Sequence, residues 1–363
     1  MSSAKSDTEL INYLEDAANL LRKMISVPSF SSEESMCAAI VSAYLKSKGV
    51  RVERVKNNII ARLNCSEHQT PVLVLNSHID TVRPTSGYTF DPFNPPYDQN
   101  RILGLGSNDA GASVVSMIQA FLWFKERGKL NFNLLLIISA EEENSGAEGI
   151  SLALNEVGRI DAAIVGEPTQ MKAAVAERGL LVIDGSAKGV SGHAARGEGV
   201  NSIYIALDEI LKIKEYKFKR ISPLMGEVKM TVTQINAGSQ HNVVPELCNF
   251  VIDIRPTDVY QNSEILDELN QFINCDLKAR KLTNRSSATP IGHPLMKTLE
   301  LCSVESYVSP TTSDWMRLSA PAIKMGPGDS SRSHRADEYV TMNELSEGIK
   351  GYVNFIEKLN FKI

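Results

Sequence analysis

Two histidines and a set of acids stand out in this chain because they follow apolar runs at matching distances. His78 and Asp80 come directly after the run VLVL at 72–75. In an extended segment, residues i and i+2 project to the same side, so this pair leaves the core together. An imidazole with a carboxylate beside it suits a metal ligand and the group that orients it, since ligating histidines hand their second N–H to an acceptor. Asp109 opens a helical stretch after a long loop, and Glu141, Glu142 and Glu143 follow an apolar run ending at Ser139. Glu167 follows Ile164-Val165-Gly166, and His334 lies in the loop MGPGDSSRSHRADEY. Taken singly, each has an ordinary reading. His78 reads as a satisfied core histidine, Asp109 as a helix cap, the three glutamates as a solvated turn, Glu167 as a loop acid and His334 as a surface residue. Gathered at the carboxyl ends of parallel strands, however, they would repel and lose hydration unless cations held them. Oxygen and nitrogen donors without thiolate suit two divalent ions, zinc first with cobalt or manganese as alternatives.

The elements that must position these residues alternate between strand and helix. An amphipathic helix starts near Asp7 and presents Leu10, Ile11, Leu14, Ala17, Ala18 and Leu21 on one face, ending at Val27-Pro28. Ser31 and Glu34 form the spacing of a capping box for a helix running to about Lys48, before Gly49. Strands are expected at 50–55, 58–63, 72–75, 132–139 and 162–165, with helices at 112–127 and 149–157. Four prolines mark the stretch 84–100 as loop, and its length suits a linker or an active-site rim. Uninterrupted apolar strands alternating with helices imply an α/β domain whose mostly parallel sheet is covered by helices on both faces. From about residue 173 the pattern becomes half-buried, with 174–187 read as one strand, a helix at 200–212, strands at 228–235 and 247–254, and a helix at 264–273. The buried pattern resumes at 299–307 and 321–325, and a helix over 342–359 closes the chain. Residues 173–284 therefore read as an α+β domain inserted between two parts of the first, 1–172 and 285–363.

Composition bounds the rest. At 363 residues, two domains are the natural expectation. A net charge of −5 gives no electrostatic reason to expect nucleic acid or an anionic membrane surface. No apolar run reaches the ~18 residues that span a bilayer. The opening MSSAKSDTELINYLED lacks a signal peptide's apolar centre, and the 5 scattered cysteines include no C-x-x-C. A soluble, cytoplasmic protein is the expectation.

The ordered set HIDTV (78–82), GLGSND (104–109), EEE (141–143), GEPT (166–169), SGH (191–193) and GPGDSSRSH (326–334) resembles the dinuclear zinc deacylases and exopeptidases. That group includes acetylornithine deacetylase, succinyl-diaminopimelate desuccinylase, aminoacylase and carboxypeptidase G. The resemblance spans nearly the whole chain, including the insertion, which it makes a ferredoxin-like lid and dimerisation domain. It implies metal-dependent hydrolysis of the amide of an N-acyl-L-amino acid, most like the acetylornithine deacetylation of arginine synthesis. A desuccinylase, a citrulline- or diaminopimelate-type deacylase and a dipeptidase are the alternatives within the group. An inactive relative that binds a small molecule is the alternative outside it, although no expected ligand or base is missing.

Carried over by position, the resemblance assigns one metal to His78 and Glu167, the other to Glu143 and His334, and Asp109 to both. Asp80 stands behind His78. The group's usual triplet is D-E-E, so aligning Glu141 with its Asp makes Glu142 the general base, while the other frame makes Glu141 the base and Glu142 the ligand. His193 matches a donor to the developing oxyanion that arrives from the second subunit of a homodimer. Asn242 and Arg255 match holders of the substrate α-carboxylate, for which a bidentate guanidinium is suited. Gly326 and Gly328 are expected to bring backbone N–H groups to the ligand, and Arg178 resembles the deacetylase branch. His68, His241 and His293 read as structural or surface residues. Ala110-Gly111-Ala112 replaces the group's frequent x-Lys-Gly, and Arg196-Gly197-Glu198 follows the lid histidine without its usual Pro. Both departures bear on substrate subclass and remove no ligand.

Overall fold

Val72–His78 lies at the centre of the main sheet, parallel to Asn133–Ser139 on one side and to Ala162–Val165 on the other. Ala322–Lys324 continues the parallel set beyond Ala162–Val165. Antiparallel strands flank this centre: Asn58–Leu63 and Val52–Val55 at one side, Ala173–Glu177 at the other. The computed structural model that shows this describes residues 2–64, 70–128 and 130–362. The reading of His68 falls outside the described residues.

The central strand is apolar without interruption because both its faces are covered. Leu73 and Leu75 pack into the cluster that holds Leu21, Val114 and Ile349, whereas Val74 joins Ile150, Trp315 and Leu318 on the opposite side. A half-exposed strand would instead alternate apolar and polar residues. The most enclosed helix is Ala112–Arg127, buried continuously from Ala112 to Phe124 and closed by Gly128 at φ 61°. A left-handed residue at that place favours glycine, which has no Cβ to clash. Met342–Lys358 starts with a reciprocal capping box between Thr341 and Glu344.

The chain divides into two compact units. The first comprises Met1–Val175, Thr289–Tyr307 and Ser313–Ile363; the second comprises Ala176–Ala288 and Val308–Thr312. The insertion thus begins and ends a few residues later than the hydropathy pattern implies, and a short return segment joins it. Arg178 N–H donates to Ser309 O at 3.2 Å, a backbone tie that carries no sequence signature. The second unit has an antiparallel sheet in the order Lys229–Ala237, Leu247–Arg255, Leu181–Lys188, Asp276–Ala279. With helices Ser202–Glu215 and Asn262–Phe272 it forms the ferredoxin-like β-α-β-β-α-β arrangement. Ile183, Phe250, Ile252, Ile265 and Leu269 make its core.

Three sequence expectations change. The strand expected over 174–187 is two strands, Ala173–Glu177 and Leu181–Lys188, separated at Gly179, where any Cβ would meet the backbone of Asn284 and Ser286 within 3.0 Å. The helix expected over 149–157 is a short one, Ile150–Leu154. The run 299–307 holds the end of helix Pro294–Leu301 and the start of strand Ser306–Ser309. Among the described residues no helix is long and apolar enough to cross a membrane.

Candidate metal centre

Register brings the site together. His78 pairs with Ser139, Asn76 with Val165, and Lys324 with Val165. Four parallel strands therefore finish at one edge, and each is followed within a few residues by an acid, a histidine or the loop that carries one. Asp109 arrives from the turn after Gly104–Gly106, and His334 from the end of the loop after Met325.

Among the described residues two groups of donors result, His78 with Asp109 and Glu167, and Asp109 with Glu143 and His334. His78 Nε2 lies 3.4 Å from Asp109 Oδ1 and 3.8 Å from Glu167 Oε1. His334 Nε2 lies 3.0 Å from Glu143 Oε2 and 3.8 Å from Asp109 Oδ2. Asp109 thus turns one carboxylate oxygen to each group. Separations of 3.4–3.8 Å are too long for good hydrogen bonds. Donors at ~2.0–2.1 Å from a tetrahedral zinc stand about 3.3 Å from one another, so the spacing fits atoms arranged around a cation.

Charge supports the same fit. Burial pushes the Glu167 carboxyl up to about 8, reinforced by Asp109 and Glu143. Burial also raises Glu142 well above the carboxylate range, with Glu167, Asp314 and Glu143 adding to it, and it raises Glu143. Burial opposes charge on His78, yet Asp109 and Asp80 outweigh it and lift the imidazole well above its usual value. The hydrogen bond to Glu143 lifts His334 to about 9. Acids retaining protons while imidazoles gain them mark a pocket with excess negative charge, which divalent cations would neutralise.

The profile of Peptidase family M20/M25/M40 matches residues 74–358. The chain belongs to this family. It is accordingly a metal-dependent amide hydrolase. An acetylornithine deacetylase of Proteus mirabilis is 26% identical over 358 residues, covering 89% of this chain and 91% of the relative. A succinyl-diaminopimelate desuccinylase of Xylella fastidiosa is 26% identical over 384 residues, covering 95% and 99%. The crystal structure of the Bacillus subtilis YXEP protein, a dinuclear metal-binding peptidase of the M20 family, superposes with a TM-score of 0.74. It covers 96% of this chain and 99% of its own at 14% identity, a likeness of fold.

Around the donors of this M20 enzyme runs a set of buried hydrogen bonds. Asp80 is fully buried and reaches further than His78. Its Oδ1 accepts the N–H of Glu142 at 3.0 Å, and its Oδ2 accepts the N–H of Glu143 at 3.0 Å and the Ser31 hydroxyl at 2.7 Å. His78 Nδ1 sits 2.9 Å from Asp80 O and 3.4 Å from Oδ1, leaving Nε2 toward the other donors. The Ser31–Glu34 spacing is therefore not a capping box. The helix begins at Ser35 with Glu34 as its N-cap and no side-chain cap bond. Glu34 instead accepts the N–H of Ser32 at 2.6 Å and of Glu141 at 3.2 Å. The expected reciprocal pair is not formed: Ser31 donates to Asp80, 49 residues away, and Glu34 reaches the N–H of Glu141, 107 residues away.

The glutamate triplet is split by its backbone. Glu141 sits at φ 54°, and its carboxylate accepts the Ser32 hydroxyl at 2.6 Å and the Glu148 N–H at 2.9 Å. Glu142 makes no side-chain hydrogen bond among the described residues and faces the charges of His78, Glu167 and Asp314. Two further acids were not anticipated. Asp314, 4% exposed, accepts from Ser139 Oγ at 2.5 Å and Asn76 Nδ2 at 3.4 Å. Glu338, 2% exposed, accepts three backbone N–H groups of the Gly106–Asp109 turn. The acidic pair Asp337-Glu338 shortly after His334 was the available signal.

The glycines and arginines carry corrections. Gly326 N–H already donates to Thr169 Oγ1 at 3.0 Å, so it is not offered to a ligand. A Cβ there would come within 2.2 Å of Ser113 Oγ, so close packing explains Gly326, while one on Gly328, at φ 91°, would come within 2.4 Å of Asn108 Oδ1. In the second unit Arg178 is buried, and its guanidinium donates to the carbonyls of Met225, Glu227 and Arg255. It is a structural clamp rather than a ligand holder. Arg255 gives its Nε and Nη2 to Asp253 at 2.8 and 3.1 Å, a strand-end ion pair. His193 and Asn242 are exposed neighbours, since Val243 pairs with His193 and Ala194 N–H donates to Asn242 O. His193 Nδ1 accepts from Ala195 N–H at 3.2 Å, which leaves Nε2 to carry the proton of the neutral ring. His293 caps helix Pro294–Leu301, a structural role, and His241 is exposed.

Proposed function

We propose that this M20 enzyme removes the acyl group from an N-acyl-L-amino acid, with N-acetyl-L-ornithine as its substrate, as a cytoplasmic step of arginine synthesis. The observation that carries the reading is the pair of donor groups joined by Asp109, with the Glu142 carboxylate beside them and free of protein hydrogen bonds among the described residues. Relatives named as deacylases match over about nine-tenths of both chains, and they support the choice of an acyl amino acid.

In this reading His78 and Glu167 hold one divalent ion, Glu143 and His334 hold the other, and Asp109 holds both; zinc suits the nitrogen–oxygen set, as do cobalt and manganese. When bound, the ions would supply a water acidified from about 15.7 toward about 7 and a polarised amide carbonyl. Glu142 takes a proton from the attacking water and delivers it to the departing amine. Burial among acids raises its proton affinity, which suits a group that must hold that proton between the two steps. Asp80 fixes Glu142 and Glu143 through their N–H groups, so the base and a ligand move as one body. His193 of a second copy donates Nε2–H to the developing oxyanion, and Asn242 beside it takes the α-carboxylate. The exposed stripe Ile203, Tyr204, Leu207 and Leu211 on Ser202–Glu215, 37–68% exposed, supports a homodimer through the second unit.

A peptidase reading is favoured by the fold likeness to a dinuclear peptidase. Turnover of N-acetyl- and N-succinyl-ornithine and -citrulline, measured beside a dipeptide panel with zinc, cobalt or manganese added, decides between them. Faster cleavage of dipeptides than of every acyl amino acid would overturn the deacylase reading.

A further inference from the structure

We propose that Glu338 is a positioning residue that holds the shared carboxylate of Asp109 in register with His334, and so governs occupancy of the Glu143–His334 metal position. The proposal rests on the reading of Asp109 as a ligand to both ions.

The backbone around Asp109 is not a regular element. Gly104 and Gly106 lie at φ 124° and 75°, Asp109 is extended at φ −117°, ψ 97°, and helix Ala112–Arg127 begins only afterwards. Along this path Leu105 and Ser107 donate to the carbonyls of Pro92 and Gly104, whereas the N–H groups of Gly106, Asn108 and Asp109 find no carbonyl, and buried N–H groups require an acceptor. Glu338 supplies it. Its Oε2 accepts Gly106 N–H at 2.9 Å, and its Oε1 accepts Asn108 N–H at 2.8 Å and Asp109 N–H at 2.9 Å. Its own carbonyl accepts Gly104 N–H at 2.9 Å. The antiparallel pairing of Tyr339–Thr341 with Arg101–Leu103 delivers Glu338 to this turn from outside the ligand cluster. Convergent backbone N–H groups around one anion form a concavity that sets the anion and the loop with respect to each other.

Glu338 stands four residues after His334, so one short segment provides a metal ligand and the clamp on its neighbour. Asp109 Oδ2 and His334 Nε2, 3.8 Å apart, both belong to the second donor group. The first group takes only Asp109 from this segment's reach; His78 and Glu167 are held by strand ends. Loosening the turn therefore perturbs the second position more than the first.

Glu338→Gln keeps the shape but has one oxygen. With that oxygen at Oε1, its NH2 faces Gly106 N–H, donor against donor; with the amide turned over, two N–H groups lose their acceptor. The test is a cobalt(II) titration of the full chain, read by visible absorbance, for wild type, Glu338→Gln and Glu338→Ala, with folding checked by circular dichroism. Wild type should bind two ions. Glu338→Gln should keep the first near wild-type affinity and weaken the second by about 10- to 100-fold. Its kcat on N-acetyl-L-ornithine should fall and recover in excess cobalt(II), with KM changed much less. A generally destabilising change would not separate the two positions. Wild-type affinity at both positions with wild-type kcat in Glu338→Gln would overturn the proposal, whether or not Glu338→Ala folds. A wild-type chain binding only one ion would instead overturn the shared-ligand reading beneath it.

Discussion

Glu142→Gln and Glu141→Gln should separate activity from stability in opposite directions. The Glu142 carboxylate accepts no hydrogen bond among the described residues and stands among Glu143, Glu167 and Asp314. Replacing it with an amide removes a buried acid from among like charges and breaks no hydrogen bond among the described residues, so thermal stability should hold or rise. Turnover loses its base, which costs about 10²–10⁴ in kcat, or about 2.7–5.5 kcal/mol of barrier. Glu141 is the reverse case. Its two oxygens serve Ser32 Oγ at 2.6 Å and Glu148 N–H at 2.9 Å, and a Cβ on Gly146 would fall within 1.9 Å of its Oε2. An amide can still serve both partners, its NH2 donating to the Ser32 hydroxyl, but it exchanges two charge-assisted hydrogen bonds for neutral ones, at about 1–2 kcal/mol, while the reacting atoms stay in place. Glu141→Gln should therefore unfold at lower temperature, with kcat within a few-fold of wild type. The assay is amine release from N-acetyl-L-ornithine with saturating metal, beside metal analysis and thermal unfolding of each variant. Both variants should retain the wild-type metal content. A crippled, fully metallated Glu141→Gln beside an active Glu142→Gln would refute the assignment and establish the other frame of the triplet.

Two further predictions follow from neighbouring groups. Burial raises the Asp314 carboxyl from about 3.9 in the unfolded chain to about 6, so between those pH values the folded state holds a proton that the unfolded state has released. This proton makes stability fall as pH rises through that window, by up to about 3 kcal/mol, and in denaturant unfolding of chelator-treated protein Asp314→Asn should remove that share while keeping the fall that Glu142, Glu143 and Glu167 contribute; a wild-type-minus-variant difference independent of pH would contradict this. If His193 acts from a second copy, co-refolded or co-expressed His193→Ala and Glu142→Gln chains should regain up to about a quarter of wild-type activity, because random pairing puts one intact site in each mixed dimer. Adding Leu207→Asp, on the exposed stripe, should give monomers by light scattering and no such recovery.

The metal-centre candidates were legible because strand ends in a parallel sheet are one-dimensional features. An apolar run announces the strand, and whatever polar residue follows must emerge at the sheet's carboxyl edge. His78, Asp109, Glu143, Glu167 and His334 could thus be named from their positions and the family motifs, and the structure gathers them into two groups that share Asp109. The α+β form of the insertion was likewise legible in its alternating apolar and polar residues, apart from its boundaries and the break at Gly179, while its ferredoxin-like arrangement was implied by the family resemblance.

What holds those residues was not legible, because it depends on contacts between segments far apart in the chain. Glu34 reaches Glu141, Asp80 reaches Glu142 and Glu143, and Glu338 reaches Gly106, Asn108 and Asp109. Their acceptors are satisfied by backbone N–H groups, which every residue but proline possesses, so no residue type at the other end betrays the bond. The same limit explains the errors at Ser31, Arg178 and Gly326, whose partners are set by packing rather than by spacing. Sequence alone determined which side chains reach the edge of the sheet. Only the tertiary structure decided which of three adjacent glutamates is tied back by Ser32 and Glu148 and which is left facing the donors, because that choice is made by a single left-handed residue, Glu141, and by hydroxyl and N–H groups brought from elsewhere in the fold.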